Sequence, residues 1–169
     1  MVESALESDI PALNILVNSA YRGESSKAGW TTEADLLGGI RTDEAGLKAL
    51  MQARDAVILK YAENNKILGC VYLKKEDDKL YLGMLTVVPT LQNKGIGKIL
   101  LAAAEEEAGK RNCTAIFMSV ISIRTELINW YKKHGYYDTG ITRPFPISDP
   151  SFGIPKQPLE FIILEKNLL

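Results

Sequence analysis

The sequence predicts an α+β fold, a mixed chain with one central, largely antiparallel twisted sheet flanked by helices. Three observations predict it. Between Ala56 and Val88, three extended apolar runs are separated only by the polar turns "ENNK" and "EDDK", the pattern of an antiparallel meander. Downstream, segments with helical spacing alternate with the apolar runs "TAIFMSVI" and "LEFIILEKNL". The 169 residues, 46% hydrophobic and 24% charged, suit one domain over 1–169 with a substantial core.

The elements follow in order. Residues 2–6 allow a short leading strand. Asp9 before Ile10 and Pro11 opens a helix to about Tyr21, with Ile10, Leu13, Leu16, Val17 and Ala20 at helical spacing. From Arg22 to Thr42 the pattern is irregular, with a lone Trp30 and a short helix expected over Thr32–Leu37. A loop of this length in a compact domain points to function or disorder, and Trp30 favours function or packing. Asp43 to Gln52 reads as a second helix, capped by Thr42 or Asp43. After the meander, "IGKILLAAAEEEAGKR" is a long helix, with Ile96, Ile99, Leu100 and Ala103 expected on one face. "TAIFMSVI" is a buried strand. "TELINWYKKHG" is a helix closed by Gly135, with Lys132, Lys133 and His134 in its last turn. "YYDTGIT" and "LEFIILEKNL" read as closing strands joined by a proline-rich stretch.

The stretch "LTVVPTLQNKGIGKILLAAAEEEA" carries the chemistry. A strand ends, a loop with Gly95 and Gly97 follows, and a helix begins. A helix N-terminus offers unpaired N–H groups and partial positive charge, a ready anion site. Glycines there permit unusual backbone angles and close approach, while Lys94 and Lys98 add charge. The physical inference is a phosphorylated ligand. A P-loop is excluded, because Ile99 stands where Ser or Thr is needed and Gln92 where the early glycine belongs. A dinucleotide fingerprint is excluded by Leu100 in place of the third glycine and by the antiparallel meander before the loop.

"VVPTLQNKGIGKILL" resembles the acyl-CoA signature of the GNAT superfamily of N-acetyltransferases, a Gln/Arg-x-x-Gly-x-Gly/Ala motif after a strand ending in Val-x-Pro. Gln92, Gly95, Gly97, Val87 and Pro89 match. "ELINWYKKHGYYDTG" is similar to the later motif of that family, with Tyr131 at its tyrosine and Gly135-Tyr136 closing it. The order of elements along nearly the whole chain agrees with the GNAT fold. One position departs: Arg124 stands where the family often has an Asn that contacts the pantetheine arm. "RTELINWYKKHGY … PFP" looks like a branch in which arginine is usual there.

The resemblance implies an acetyl-CoA-dependent N-acetyltransferase acting on a primary amine of a small molecule, amino acid or peptide by direct attack, with acetyl-CoA as cosubstrate. The amine must lose a proton, the oxyanion needs hydrogen-bond donors, and the leaving thiolate needs an acid. Tyr131 is the candidate acid. Glu33 is the candidate base, with Glu24 or a chain of waters left open, because the strand "YLGMLTVV" has no carboxylate. Main-chain groups of Leu85, Thr86 and Val87 face the pantetheine. Gln92, Asn93, Lys94, Gly95, Ile96, Gly97 and Lys98 hold the pyrophosphate, with Arg124 beside the coenzyme. Tyr21, Trp30 and Phe145, with the "RPFP" loop of Arg143 to Pro146, are acceptor-pocket candidates, though Trp30 is equally suited to packing. Arg22 and Arg41 fit surface salt bridges better than an acidic acceptor. A non-catalytic acyl-CoA-binding sensor is the alternative from another class, and retention of Tyr131 favours the enzyme.

The net charge of −1 gives no general attraction to nucleic acid or anionic membrane. No apolar run approaches the ~18 residues of a membrane span. Cys70 and Cys113 sit in apolar segments as thiols of a reducing compartment. No Cys/His/Asp cluster has ligand spacing, so no metal is expected, and His134 reads as a helix-terminal cation. A cytoplasmic protein, monomeric or homodimeric, with an amine acceptor as its partner is the expectation.

Overall fold

The computed structural model describes residues 1–22, 26–27, 29–38, 40–145 and 154–169. Strand β1 (Val2–Ser4) leads through a 3₁₀ turn into α1 (Ile10–Tyr21). Strand β2 (Leu37–Gly38) precedes α2 (Glu44–Gln52). The meander is β3 (Ala56–Glu63), β4 (Lys66–Glu76) and β5 (Lys79–Val87). Then come α3 (Ile96–Lys110), β6 (Ala115–Ile121), α4 (Thr125–Lys133), β7 (Tyr137–Pro144), β8 (Ile154–Pro155) and β9 (Glu160–Asn167).

The meander forms as its turns demand. Asn64 and Asn65 both take positive φ, 51° and 63°, the left-handed pair of a two-residue hairpin turn. Asp43 caps α2: its Oδ1 accepts from the Gly46 N–H at 2.6 Å. Seven strands form one sheet in the order β1-β3-β4-β5-β6-β9-β7, antiparallel throughout except for β5 with β6. Helices cover both faces. Along β3 and β4, Ile58, Cys70 and Tyr72 pack with Leu13, Val17 and Leu47 of α1 and α2. Leu59, Val71 and Leu73, pointing the other way, pack with Leu100, Leu101 and Ala104 of α3. Both cysteines are buried and neither is in a disulfide.

Two expectations are corrected. The segment Thr32–Leu37 is not a helix. The Leu36 and Leu37 N–H groups both turn back to the Glu33 carbonyl, and β2 then pairs antiparallel with β8. On α3 the buried stripe is Ile96, Leu100, Leu101, Ala104 and Ala108, while Ile99 is 43% exposed. The stripe is rotated because Leu100 and Leu101 both face the sheet.

One irregularity positions everything that follows. Opposite Cys70 and Tyr72 of β4 stand Thr86 and Gly83 of β5, so β5 carries an extra residue. Met84 takes φ 55°, a left-handed angle rare for this side chain. Parallel pairing of β5 with β6 stops after Tyr81↔Phe117. Beyond it Leu82–Leu85 and Met118–Ile121 line opposite walls of a cavity.

Candidate active site

Two cavities meet above the splayed strands. The first holds about 250 Å³ and lies between β5 and β6, closed by Leu37, Phe145 and Phe161. The second holds about 280 Å³ and lies against the opening turn of α3, walled by Val87, Leu91 and Trp130. Tyr21, Leu85, Leu127 and Tyr131 line both.

The second cavity contains the glycine loop. Gly95 sits at φ 88°, and a Cβ there would touch nothing within 4 Å. Its role is conformational: the left-handed turn lets the chain enter α3. Gly97 serves closeness instead, because a Cβ there would lie 3.2 Å from the Trp130 indole. No side chain caps the helix, and its first backbone bond runs from the Ile99 N–H to the Gly95 carbonyl at 3.0 Å. The N–H groups of Ile96, Gly97 and Lys98 precede that bond and have no intrahelical acceptor. A diphosphate fits this mouth, and the residues present match what such a group needs.

The Gln92 side chain is fully engaged within the protein. Its Oε1 accepts from the Trp30 N–H at 2.8 Å, and its Nε2 donates to Thr31 Oγ1 at 2.7 Å and the Val87 carbonyl at 3.3 Å. Trp30 is thereby fixed beside Trp130, with ring centroids 6.1 Å apart. It lines the second cavity and not the first; the sequence offered it equally to an acceptor pocket and to packing. Asn93, Gly95, Ile96, Gly97 and Lys98 line the second cavity, as do Leu85 and Val87. Lys94 and Thr86 line neither, and the Thr86 hydroxyl donates to the Met84 carbonyl across the bulge at 2.8 Å. His134 completes the second cavity, its ring tilted 42° to that of Trp130 at 4.4 Å between centroids, with Nδ1 2.7 Å from the Trp130 carbonyl.

In the first cavity the sequence reading gains a buried charge network. Glu33 Oε1 accepts from Arg22 Nε at 3.1 Å and Nη2 at 2.9 Å, and Glu33 Oε2 accepts from Arg124 Nη1 at 3.2 Å. Arg22 Nη1 donates to the Ile40 carbonyl and Arg124 Nη2 to the Thr31 carbonyl. Arg22 is thus not a surface residue; burial draws its guanidinium below the ordinary value and Glu33 opposes the shift. Arg124 faces the first cavity rather than the glycine loop. Phe145 is buried there against Phe161. Arg143 is exposed, and Glu24 and Pro146 lie outside the described residues.

Tyr131 stands where the cavities join. It is 5% exposed, yet its hydroxyl makes no hydrogen bond among the described residues. Burial raises its pKa well above the ordinary value; Tyr21 and Tyr136 add to the rise and Arg124 opposes it. Tyr131 is therefore neutral and holds its proton at every physiological pH. The neighbouring Tyr21 hydroxyl donates to the Leu85 carbonyl, and burial, with Glu33, pushes its pKa to about 12.

Among the described residues no group of three His, Cys, Asp or Glu side chains gathers as a metal site, and no helix is long and apolar enough to cross a membrane. Residues 17–136 match the family described as "Acetyltransferase (GNAT) family". An uncharacterized N-acetyltransferase of Bacillus subtilis, YhfO, is 31% identical over 146 residues, covering 82% of this chain and 91% of that protein. The fold matches a ribosomal-protein-alanine N-acetyltransferase of Brucella melitensis with TM-score 0.74 at 19% identity, over 99% of both chains. It also matches yncA of Salmonella typhimurium, solved with its cofactor acetyl-CoA, with TM-score 0.72 at 18% identity, over 100% of this chain and 94% of that one.

Proposed function

The chain belongs to the acetyltransferase (GNAT) family, and on that premise we propose that it transfers an acetyl group from acetyl-CoA to the primary amine of a small molecule, amino acid or peptide by direct attack. The coenzyme supplies the acetyl group as a thioester already activated toward a nucleophile. The N–H groups at Gly95–Lys98 hold its diphosphate, and the main chain of Leu85 and Val87 faces its pantetheine arm where β5 has parted from β6. N–H groups at the β5 bulge are the donors for charge developing on the acetyl oxygen.

The observation that carries this reading is Tyr131. A neutral hydroxyl with no protein partner among the described residues, carried by a residue only 5% exposed, opens at the wall that both cavities share with α4. It has a proton to give and nothing else to do with it, which is what a leaving sulfur requires. The amine enters the first cavity. A lysine-type amine has a pKa of ~10.4 and a peptide α-amino group ~8, so of these two the latter is the easier nucleophile near neutrality.

Glu33 was expected as the base. Both its oxygens are taken by guanidinium groups, so we assign it the task of holding Arg22 and Arg124 at the cavity wall. The amine proton then leaves to solvent. The reading is tested by incubating the protein with acetyl-CoA and a panel of primary amines and following released thiol with a dye. Turnover that falls at least ~100-fold in Tyr131→Phe with coenzyme affinity unchanged supports it. Full turnover in that variant removes Tyr131 from the mechanism, and no turnover with any amine favours a non-catalytic acyl-CoA sensor.

A further inference from the structure

We propose that the acceptor is a small amine that also carries a carboxylate, with an apolar side chain in the manner of an apolar α-amino acid, and that Arg41 binds the carboxylate. This deepens the acetyl-transfer reading of the same site and rests on it.

Among the described residues the first cavity is lined by three arginines, Arg22, Arg41 and Arg124, and one acid, Glu33. Arg22 and Arg124 share that one carboxylate, and each spends a further donor on a backbone carbonyl. Arg41 has no carboxylate partner among the described residues. Its guanidinium lies over the Tyr21 ring, 5.7 Å from the centroid. Among the described residues, three positive charges thus stand against one negative on this cavity wall.

The backbone beneath Arg41 is fixed. Asn18 Oδ1 accepts from the N–H groups of Arg41 at 2.7 Å and Thr42 at 3.2 Å, and Asn18 Nδ2 donates to the Thr42 carbonyl at 2.9 Å. One side chain of α1 thus anchors the stretch from which the guanidinium projects. A planar guanidinium with open donors beside an apolar chamber is suited to a carboxylate, which it can grip through two N–H groups. Leu82, Met118, Val120 and Phe161 supply the apolar wall. The volume of about 250 Å³ lies below the ~300–1,000 Å³ of drug-sized ligand pockets, so it suits a molecule no larger than an amino acid.

The experiment compares matched ligands: L-alanine, L-valine, L-leucine, L-methionine and L-phenylalanine, each against its carboxamide, with Arg41→Gln and Arg41→Lys beside the wild type. Binding is measured by calorimetry with CoA present, and turnover by thiol release with acetyl-CoA. In the wild type the best acid is expected to exceed its carboxamide by about ten- to a hundredfold in both affinity and kcat/KM. Arg41→Gln should bring acid and amide within about twofold, by raising KM more than it lowers kcat, and Arg41→Lys should recover part of the preference. No acid binding better than its amide, or a preference that survives Arg41→Gln, overturns the inference. The two readings separate cleanly: carboxylate-dependent binding without thiol release sinks acetyl transfer and leaves the carboxylate site standing. Turnover indifferent to the carboxylate does the reverse.

Discussion

Glu33→Gln tests the charge network most sharply. Glu33 is 8% exposed and Arg22 5%, and the Arg124 side chain facing Glu33 is 8% exposed. The substitution keeps the shape and deletes the charge, leaving two buried guanidiniums on either side of a neutral amide. Removing one partner of a buried ion pair costs about 3–5 kcal/mol, most of it from the charge left uncompensated. For a domain of this size about 1 kcal/mol moves Tm by ~2–4 °C, so the loss should be ~6–20 °C. Thermal unfolding followed by circular dichroism at pH 7 reads it, with Glu106→Gln on the exposed face of α3 as a control expected within ~0.5 kcal/mol. The same variant separates two roles for Glu33. If it positions the arginines, the pH–rate profile keeps its shape while activity falls. A Tm loss no larger than that of the control, or a pH–rate limb that moves in Glu33→Gln, would refute the positioning role and restore Glu33 as base.

Two further outcomes follow from the geometry. Burial raises the Tyr131 pKa, so its proton stays in place as pH rises, and turnover should show no alkaline fall from loss of this acid below pH ~10; a limb near pH 8 that vanishes in Tyr131→Phe would contradict that. Gly95→Ala places a Cβ on a residue at φ 88°, a strain of about 1–2 kcal/mol per residue, and should weaken coenzyme binding about tenfold, whereas Gly109→Ala, where a Cβ also meets nothing within 4 Å and φ is not left-handed, should leave calorimetric affinity unchanged.

The sequence carried those features that are local. Gly95 and Gly97 announce the helix mouth because their spacing from Gln92 and from the strand end is short-range chemistry. The Asn64-Asn65 turn and the Asp43 cap are legible for the same reason. What escaped depends on residues far apart in the chain. The bulge at Met84 has no residue-type signature, since methionine is not chosen for positive φ. Without that bulge, nothing in "YLGMLTVV" marks where β5 leaves β6. The Thr32–Leu37 segment has helix-like composition, but pairing with Ile154–Pro155 makes its end a strand. Trp30 and Thr31 are tied by Gln92, 62 and 61 positions away, and by Arg124, 93 positions from Thr31. Such ties place Trp30 in the cavity that contains the glycine loop. Arg22 and Arg41 looked alike in sequence, and only the fold shows that one is buried on Glu33 while the other has no acid beside it among the described residues.

The most direct measurement is a backbone-amide NMR titration of the protein with CoA. The largest shifts are predicted at the N–H groups of Gly95, Ile96, Gly97 and Lys98, saturating together with those of Leu85 and Val87. If those amides stay still while another surface responds, the diphosphate is not held at the mouth of α3 and the assignment of the site is wrong.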